Sequence, residues 1–225
     1  MALLLVGSAM ADSGGNSVYI DQTNADRSSV SITQTGSNNN FGDSNFNTGA
    51  PFVIEGNSMN LTATQNGMNN SITGNFIGGN STTTILQDGN TNNTNLNMGN
   101  FGTSTGVYNL SVTGDNNNTH LNIGTTRDAS NYKYGAYLTG STNNLTSNIN
   151  SKNTDNMFLV TGSTNTITTT QIGANGTTLT GGHNIDSTII GSSNTLSVLQ
   201  DGVTNPNSIA IHVTGNSTTT NIIQH

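Results

Sequence analysis

The sequence predicts an all-β chain wound into a flattened β-solenoid with two strands per rung, about nine to ten rungs and essentially no helix. Three observations predict it. Glycines recur at a fixed step: Gly56, Gly67, Gly78 and Gly89 are eleven residues apart, and the step returns from Gly162 to Gly173 and from Gly191 to Gly202. Between glycines, residues alternate with the period of two that marks a strand. The runs end at Asn-Gly, Asp-Gly or Thr-Gly pairs, which tolerate the positive φ of a tight turn.

The alternation is clearest in NSVYIDQ (Asn16 to Gln22), SSVSITQ (Ser28 to Gln34), MNLTATQ (Met59 to Gln65) and STTTILQ (Ser81 to Gln87). In the second run Ser28, Val30, Ile32 and Gln34 share a face, and in the fourth Ser81, Thr83, Ile85 and Gln87 do. Each strand with its turn forms a half-unit. Two half-units make one coil of about 22 residues, as from Gln65 to Gln87, and coils stack at about 4.8 Å so that every backbone group pairs with the rungs above and below.

The last inward position of each strand falls at Gln22, Gln34, Asn45, Ile54, Gln65, Phe76, Gln87, Met98, Val112, Ile123, Leu138, Ile149, Val160, Gln171, Leu179, Ile189, Gln200, Val213 and Gln224. Three stretches disturb the step. Gly99 to Gly106 and Thr125 to Gly135 read as lengthened turns and Ala174 to Gly182 as a shortened one, with the register open from there through His183 to Gly191. Pro51 and Pro206 both fall between strands, where a missing N–H donor costs no ladder bond. Asn, Thr, Ser and Gly dominate without any period near 3.6, which disfavours helix.

Composition narrows the function. Of 225 residues only 30% are hydrophobic and 5% aromatic, with no Trp, too little for the layered core of a metabolic enzyme. Charged residues are 7% of the chain and the net charge is −7, which opposes binding to phosphate backbones or anionic lipid. Neither nucleic acid nor membrane insertion is expected, since no apolar run approaches the length of about 20 residues that a spanning helix needs. The absence of Cys removes disulfides and thiolate chemistry. LLLV (Leu3 to Val6) followed by Ala9-Met10-Ala11 has the form that precedes signal-peptide cleavage. Residues 1–11 are accordingly read as a truncated signal-peptide remnant and residues 12–225 as a single solenoid domain; an ordinary flexible N-terminus is the alternative.

The choice of residue types has a physical reason. In a solenoid each residue meets its counterpart one rung away, and like charges about 5 Å apart repel by nearly 1 kcal/mol even in water. Asn and Gln carry both a donor and an acceptor, so stacked copies can bond along the axis inside the core. Val, Ile and Leu beside them add about 1.5 to 3 kcal/mol each when fully buried.

Ser28, Gln34, Gly36 and Asn39 share their spacing with Ser81, Gln87, Gly89 and Asn92. Gln65, Gly67 and Asn70 repeat it with Met59 in place of the Ser, and Gln200, Gly202 and Asn205 repeat it with Asn194 there. Copies with an aliphatic residue in place of Gln occur at Val112, Gly114 and Asn117, at Leu138, Gly140 and Asn143, and at Val160, Gly162 and Asn165. This pattern resembles the curlin repeat of bacterial curli fibres, whose unit runs Ser, five residues, Gln, one residue, Gly, two residues, Asn. Gln22 to Asn39 is the closest copy, and the pattern covers most of residues 16–225. The chain departs from the family in having about twice the usual rungs, and in replacing many core glutamines by Val, Leu or Ile. The resemblance implies a secreted amyloid subunit that polymerises on the cell surface for adhesion and biofilm matrix. It also implies a nucleator and an outer-membrane secretion channel as partners beside the chain itself. Gln171 and Gln224 complete the expected core ladder.

His120, His183, His212 and His225 lack ligand spacing, no Ser, His and Asp arrangement recurs, and no cofactor, metal or catalytic residue is expected. Asp88 and Asp201 precede turn glycines, but most turns lack the Asp of calcium-binding repeats. Outward pairs Thr62 with Thr64, Thr82 with Thr84 and Thr168 with Thr170 would suit an ice-binding array, although ordinary exposed strand threonines explain them more simply. Tyr132, Tyr134 and Tyr137, with Lys133 and Arg127, read either as a lateral contact between filaments or as aromatic packing beside a long turn. A viral or bacterial fibre or adhesin built on a similar solenoid is the other structural reading. No capping segment is seen at either end of the repeats, which leaves the terminal rungs as templates for strand addition.

Overall fold

A computed structural model describes residues 4–9, 14–23, 27–42, 51–56, 58–75, 80–96, 105–123, 132–150, 155–173, 184–202 and 208–224. No helix occurs among them, and the chain winds between two parallel sheets of nine strands each. The first sheet runs in the order β1 (Leu4–Ala9), β4 (Ser29–Ser37), β7 (Asn60–Met68), β9 (Asn80–Asp88), β11 (Thr105–Thr113), β13 (Tyr132–Tyr134), β15 (Asp155–Thr161), β17 (Asn184–Ile190), β19 (Ser208–Thr214). Facing it, the second sheet runs β2 (Ser17–Val18), β5 (Asn40–Phe41), β8 (Ser71–Ile72), β10 (Asn93–Asn95), β12 (Asn118–Ile123), β14 (Asn144–Asn150), β16 (Thr166–Gly173), β18 (Thr195–Gly202), β20 (Thr219–Gln224). A coil is one strand of each, so the predicted flattened two-strand-per-rung solenoid is the observed fold.

The corner that follows each first-sheet strand from β4 onward is the same. Gly36, Gly67, Gly89, Gly114, Gly140, Gly162, Gly191 and Gly215 all have positive φ, and the residue two places on, from Asn38 and Asn69 to Ser193 and Ser217, is left-handed as well. Glycine is required here for space as much as for conformation. A Cβ on Gly67 would lie 2.1 Å from the Gly89 carbonyl oxygen, which belongs to the next coil's backbone and cannot move without opening the stack.

The inner faces form a dry seam between the sheets. Val30, Ile32, Leu61, Ile85, Leu110, Val112, Phe158 and Val160 enter it from the first sheet, and Ile72, Leu145, Ile167 and Leu196 from the second. Strict in/out alternation, as in Asn80–Asp88, follows from the pleat.

Asn45 and Ile54 were expected to end separate strands. Instead β5 and β6 (Phe52–Glu55) are parts of one line, parted after Gly42: the Tyr19 N–H donates to the Phe41 carbonyl, and the Phe52 N–H donates to the Tyr19 carbonyl. Asn45 lies outside the described residues. The Phe41 and Phe52 rings stack at 4.5 Å and close the line from within. β6 pairs with β3 (Ile20–Thr23), Gln22 standing opposite Ile54.

The strand expected to end at Leu179 and the shortened turn expected from Ala174 to Gly182 lie outside the described residues, between β16 and β17. The other two disturbed stretches lie largely outside the described residues. Conversely, Leu4–Ala9, read from sequence as leader, is seated as the first strand, with Ala9 opposite Gln34.

Candidate functional site

The residues singled out by sequence gather into side-chain ladders, and these run to the two ends of the stack. The longest ladder starts at each corner. The residue three places after the corner glycine is Asn39, Asn70, Asn92, Asn117, Asn143, Asn165 or Asn194, each buried. Asn117 shows the geometry: its Oδ1 accepts the N–H of Asn143 at 2.9 Å and its Nδ2 donates to the Gly140 carbonyl at 2.8 Å, both on the following coil. The preceding coil reaches forward in the same way, Asn92 Oδ1 accepting the Asn117 N–H at 3.0 Å. Asn16 begins the file by accepting the Asn39 N–H at 2.9 Å and donating to the Gly36 carbonyl at 2.9 Å.

The file stops at Thr218. Its N–H and hydroxyl both donate back to Asn194 Oδ1, at 3.0 and 2.6 Å, and a threonine carries no amide to send forward.

Glutamine forms two shorter ladders on opposite walls. On the first sheet Gln34 Nε2 donates to Gln65 Oε1 and Gln65 Nε2 to Gln87 Oε1, both at 2.8 Å. The next residue in that column is Val112, opposite Gln87, so Gln87 turns its amide to Thr94 Oγ1 and the Ser71 carbonyl, each at 3.0 Å. On the second sheet Gln171 Nε2 donates to Gln200 Oε1 at 2.7 Å and Gln200 Nε2 to Gln224 Oε1 at 3.2 Å. Ile149 stands opposite Gln171 on the preceding coil and offers no donor, which accounts for the buried Gln171 Oε1 having no partner.

Not every expected ladder residue takes the expected place. Gly202 lies within β18 opposite Gly173 rather than at a stacked corner, and Asn205 lies outside the described residues. Asn194, expected at the Ser position of that copy, is instead the corner asparagine of the Gly191 turn. The same spacing of Gln, Gly and Asn occurs in both strand types, and among the described residues the stacked asparagines follow first-sheet strands. Ser28 and Ser81 are buried at the starts of their strands, and the Ser28 hydroxyl has no partner. The buried side-chain amide of Asn156 likewise finds none, and nothing in its surroundings accounts for it.

At the ends the core is incompletely covered. Val18, in the inward column of Phe41 and Ile72, is 41% exposed, whereas those two are fully buried. At the other end Val213 and Ile222 are only partly buried, against 0% exposure for Ile189 and 2% for Val198 in the same columns. β19 and β20 each pair on one side only.

The tyrosines share one strand line. Tyr132 and Tyr134 lie in β13, Tyr134 opposite Tyr108 and Asn156, and Tyr137 follows with φ of 67°. Tyr137, Met157 and Leu159 are neighbouring exposed side chains. The threonine pairs do not form a two-column array, because Thr62 stands opposite Thr84, and Thr64 opposite Leu86. Among the described residues no three His, Asp or Glu side chains are grouped to hold a metal, and no helix is long and apolar enough to cross a membrane. Comparison of the chain with protein-family models, with curated proteins and with solved structures returns no match.

Proposed function

We propose that the chain is the structural subunit of a secreted, curli-like amyloid fibre that polymerises head to tail by β-strand addition and serves surface adhesion and biofilm matrix. The observation that carries this reading is the state of the two ends. Core columns and backbone ladders reach β2 and β20 without a covering segment among the described residues, and half-exposed Val18 and Ile222 are the cross-section of the seam. Contact between unlike ends does not close on itself, so it generates an open filament. The curlin-like spacing around Gln34, Gly36 and Asn39 supports the same reading, as does the scarcity of charge. The partner is the chain itself, with a nucleator and a secretion channel as the resemblance implies; the role is structural rather than catalytic.

The test is imaging of the purified chain by negative-stain microscopy, together with fibre diffraction. Filaments one solenoid thick with a reflection near 4.7–4.8 Å are expected. Monodisperse monomers at high concentration would sink the reading.

A further inference from the structure

Building on that reading, we propose a specific junction between copies: β20 of one copy lies beside β2 and β3 of the next, in the register that sets Gln22 of the incoming chain on Gln224. The argument starts from the corner file. Asn16 and Thr218 are its first and last members, since Asn16 Oδ1 accepts from Asn39 and Asn194 Oδ1 is bonded by Thr218. Counting six residues on from each gives Gln22 and Gln224, and six on from Asn194 and Asn165 gives Gln200 and Gln171. Gln22 in β3, just beyond β2, and Gln224 at the end of β20 therefore stand at the same distance from the corner file as Gln171 and Gln200, which bond from coil to coil in the second sheet.

The bonds in that column have a direction. Gln171 donates forward to Gln200 and Gln200 forward to Gln224, so the next donor in sequence faces the open end. The same register places Ile20, itself packed against the core, on Ile222, and Val18 on Thr220. On the first sheet it brings β19 beside β1. A slip of one residue would turn every inward side chain outward, and a slip of two would set Gln224 against an isoleucine in a dry column. The junction is nevertheless weaker than an internal step at one place: Thr218 sends no amide to the incoming Asn16.

The chain contains no Cys, so introduced thiols report the contact alone. Ser17 and Thr219 occupy equivalent positions on their strands, and adjacent strands about 4.8 Å apart lie within disulfide range. Full-length chain carrying Ser17→Cys with Thr219→Cys is assembled and oxidised, and a ladder of covalent oligomers is expected on a non-reducing gel. Ser17→Cys with Asn221→Cys should give at least tenfold less. Gln22→Leu should slow elongation at least tenfold while leaving the circular dichroism of the monomer unchanged. Filaments that form without the 17–219 cross-link, or that cross-link equally in the shifted pair, overturn the junction and leave the fibre reading standing. Neither filaments nor cross-linked dimers would overturn both.

Discussion

The corner after each first-sheet strand and the connection after each second-sheet strand do opposite jobs with similar residues. The first is fixed: a left-handed glycine, a second left-handed residue, then an asparagine whose amide bonds the following coil. The second varies in length, which is why successive asparagines of the file are 22, 23, 25, 26, 29 or 31 residues apart while their bonds stay near 3 Å. Register is thus carried by one edge of the solenoid, and the other edge is free to absorb insertions. Loop length is cheap because closure entropy grows only with its logarithm, whereas a buried amide without its partner costs its full desolvation.

This contrast can be broken in order of expected effect. Gly67→Ala puts a Cβ 2.1 Å from the Gly89 carbonyl oxygen at φ of 108°, and should destabilise the monomer by about 4 kcal/mol or more, read by denaturant unfolding. Asn117→Ala removes the side-chain bonds to Asn92 Oδ1, to the Thr113 and Gly140 carbonyls and from the Asn143 N–H, and should cost about 3 kcal/mol in the same assay. Gln65→Leu leaves the buried Gln87 Oε1 without its donor and removes one of the acceptors of Gln34 Nε2, for about 2 kcal/mol. Replacing Gln34, Gln65 and Gln87 together by Leu should recover most of that loss, because Val112 and Val160 already show the column working with aliphatic residues. An insertion of two glycines in the connection between β18 and β19 should change stability by less than about 0.6 kcal/mol. Should the insertion cost as much as Asn117→Ala, the division of labour between the two edges is wrong.

Much of this was legible in the sequence, and the failures have one cause. The solenoid, the near absence of helix and the inward faces of Ser28–Gln34 and Ser81–Gln87 follow from period and alternation, which are local properties. Which glycine marks a stacked corner is not local. Gly36 and Gly202 sit in the same letter pattern, yet Gly36 turns a corner with φ of 98° against the next coil while Gly202 lies within a strand opposite Gly173. Counting both as equal half-units puts Gly202 at a corner and Asn194 at a Ser position, where the structure has neither. The interruption between Gly42 and Phe52 was hidden because the line is restored by hydrogen bonds to Tyr19, far from it in sequence. Asn16 and Thr218 were passed over, although each lies at the fixed distance of six residues from a predicted glutamine.

The corner file also bears on how such a molecule acquires its length. Each interior coil brings its own glycine and its own asparagine, and each of these asparagines makes the same request of its successor. Duplicating or excising one whole coil, such as the span from Asn117 up to Asn143, therefore leaves the flanking amides with equivalent partners. A lineage built this way can lengthen or shorten its subunit in single steps, without passing through an intermediate that has lost its fold.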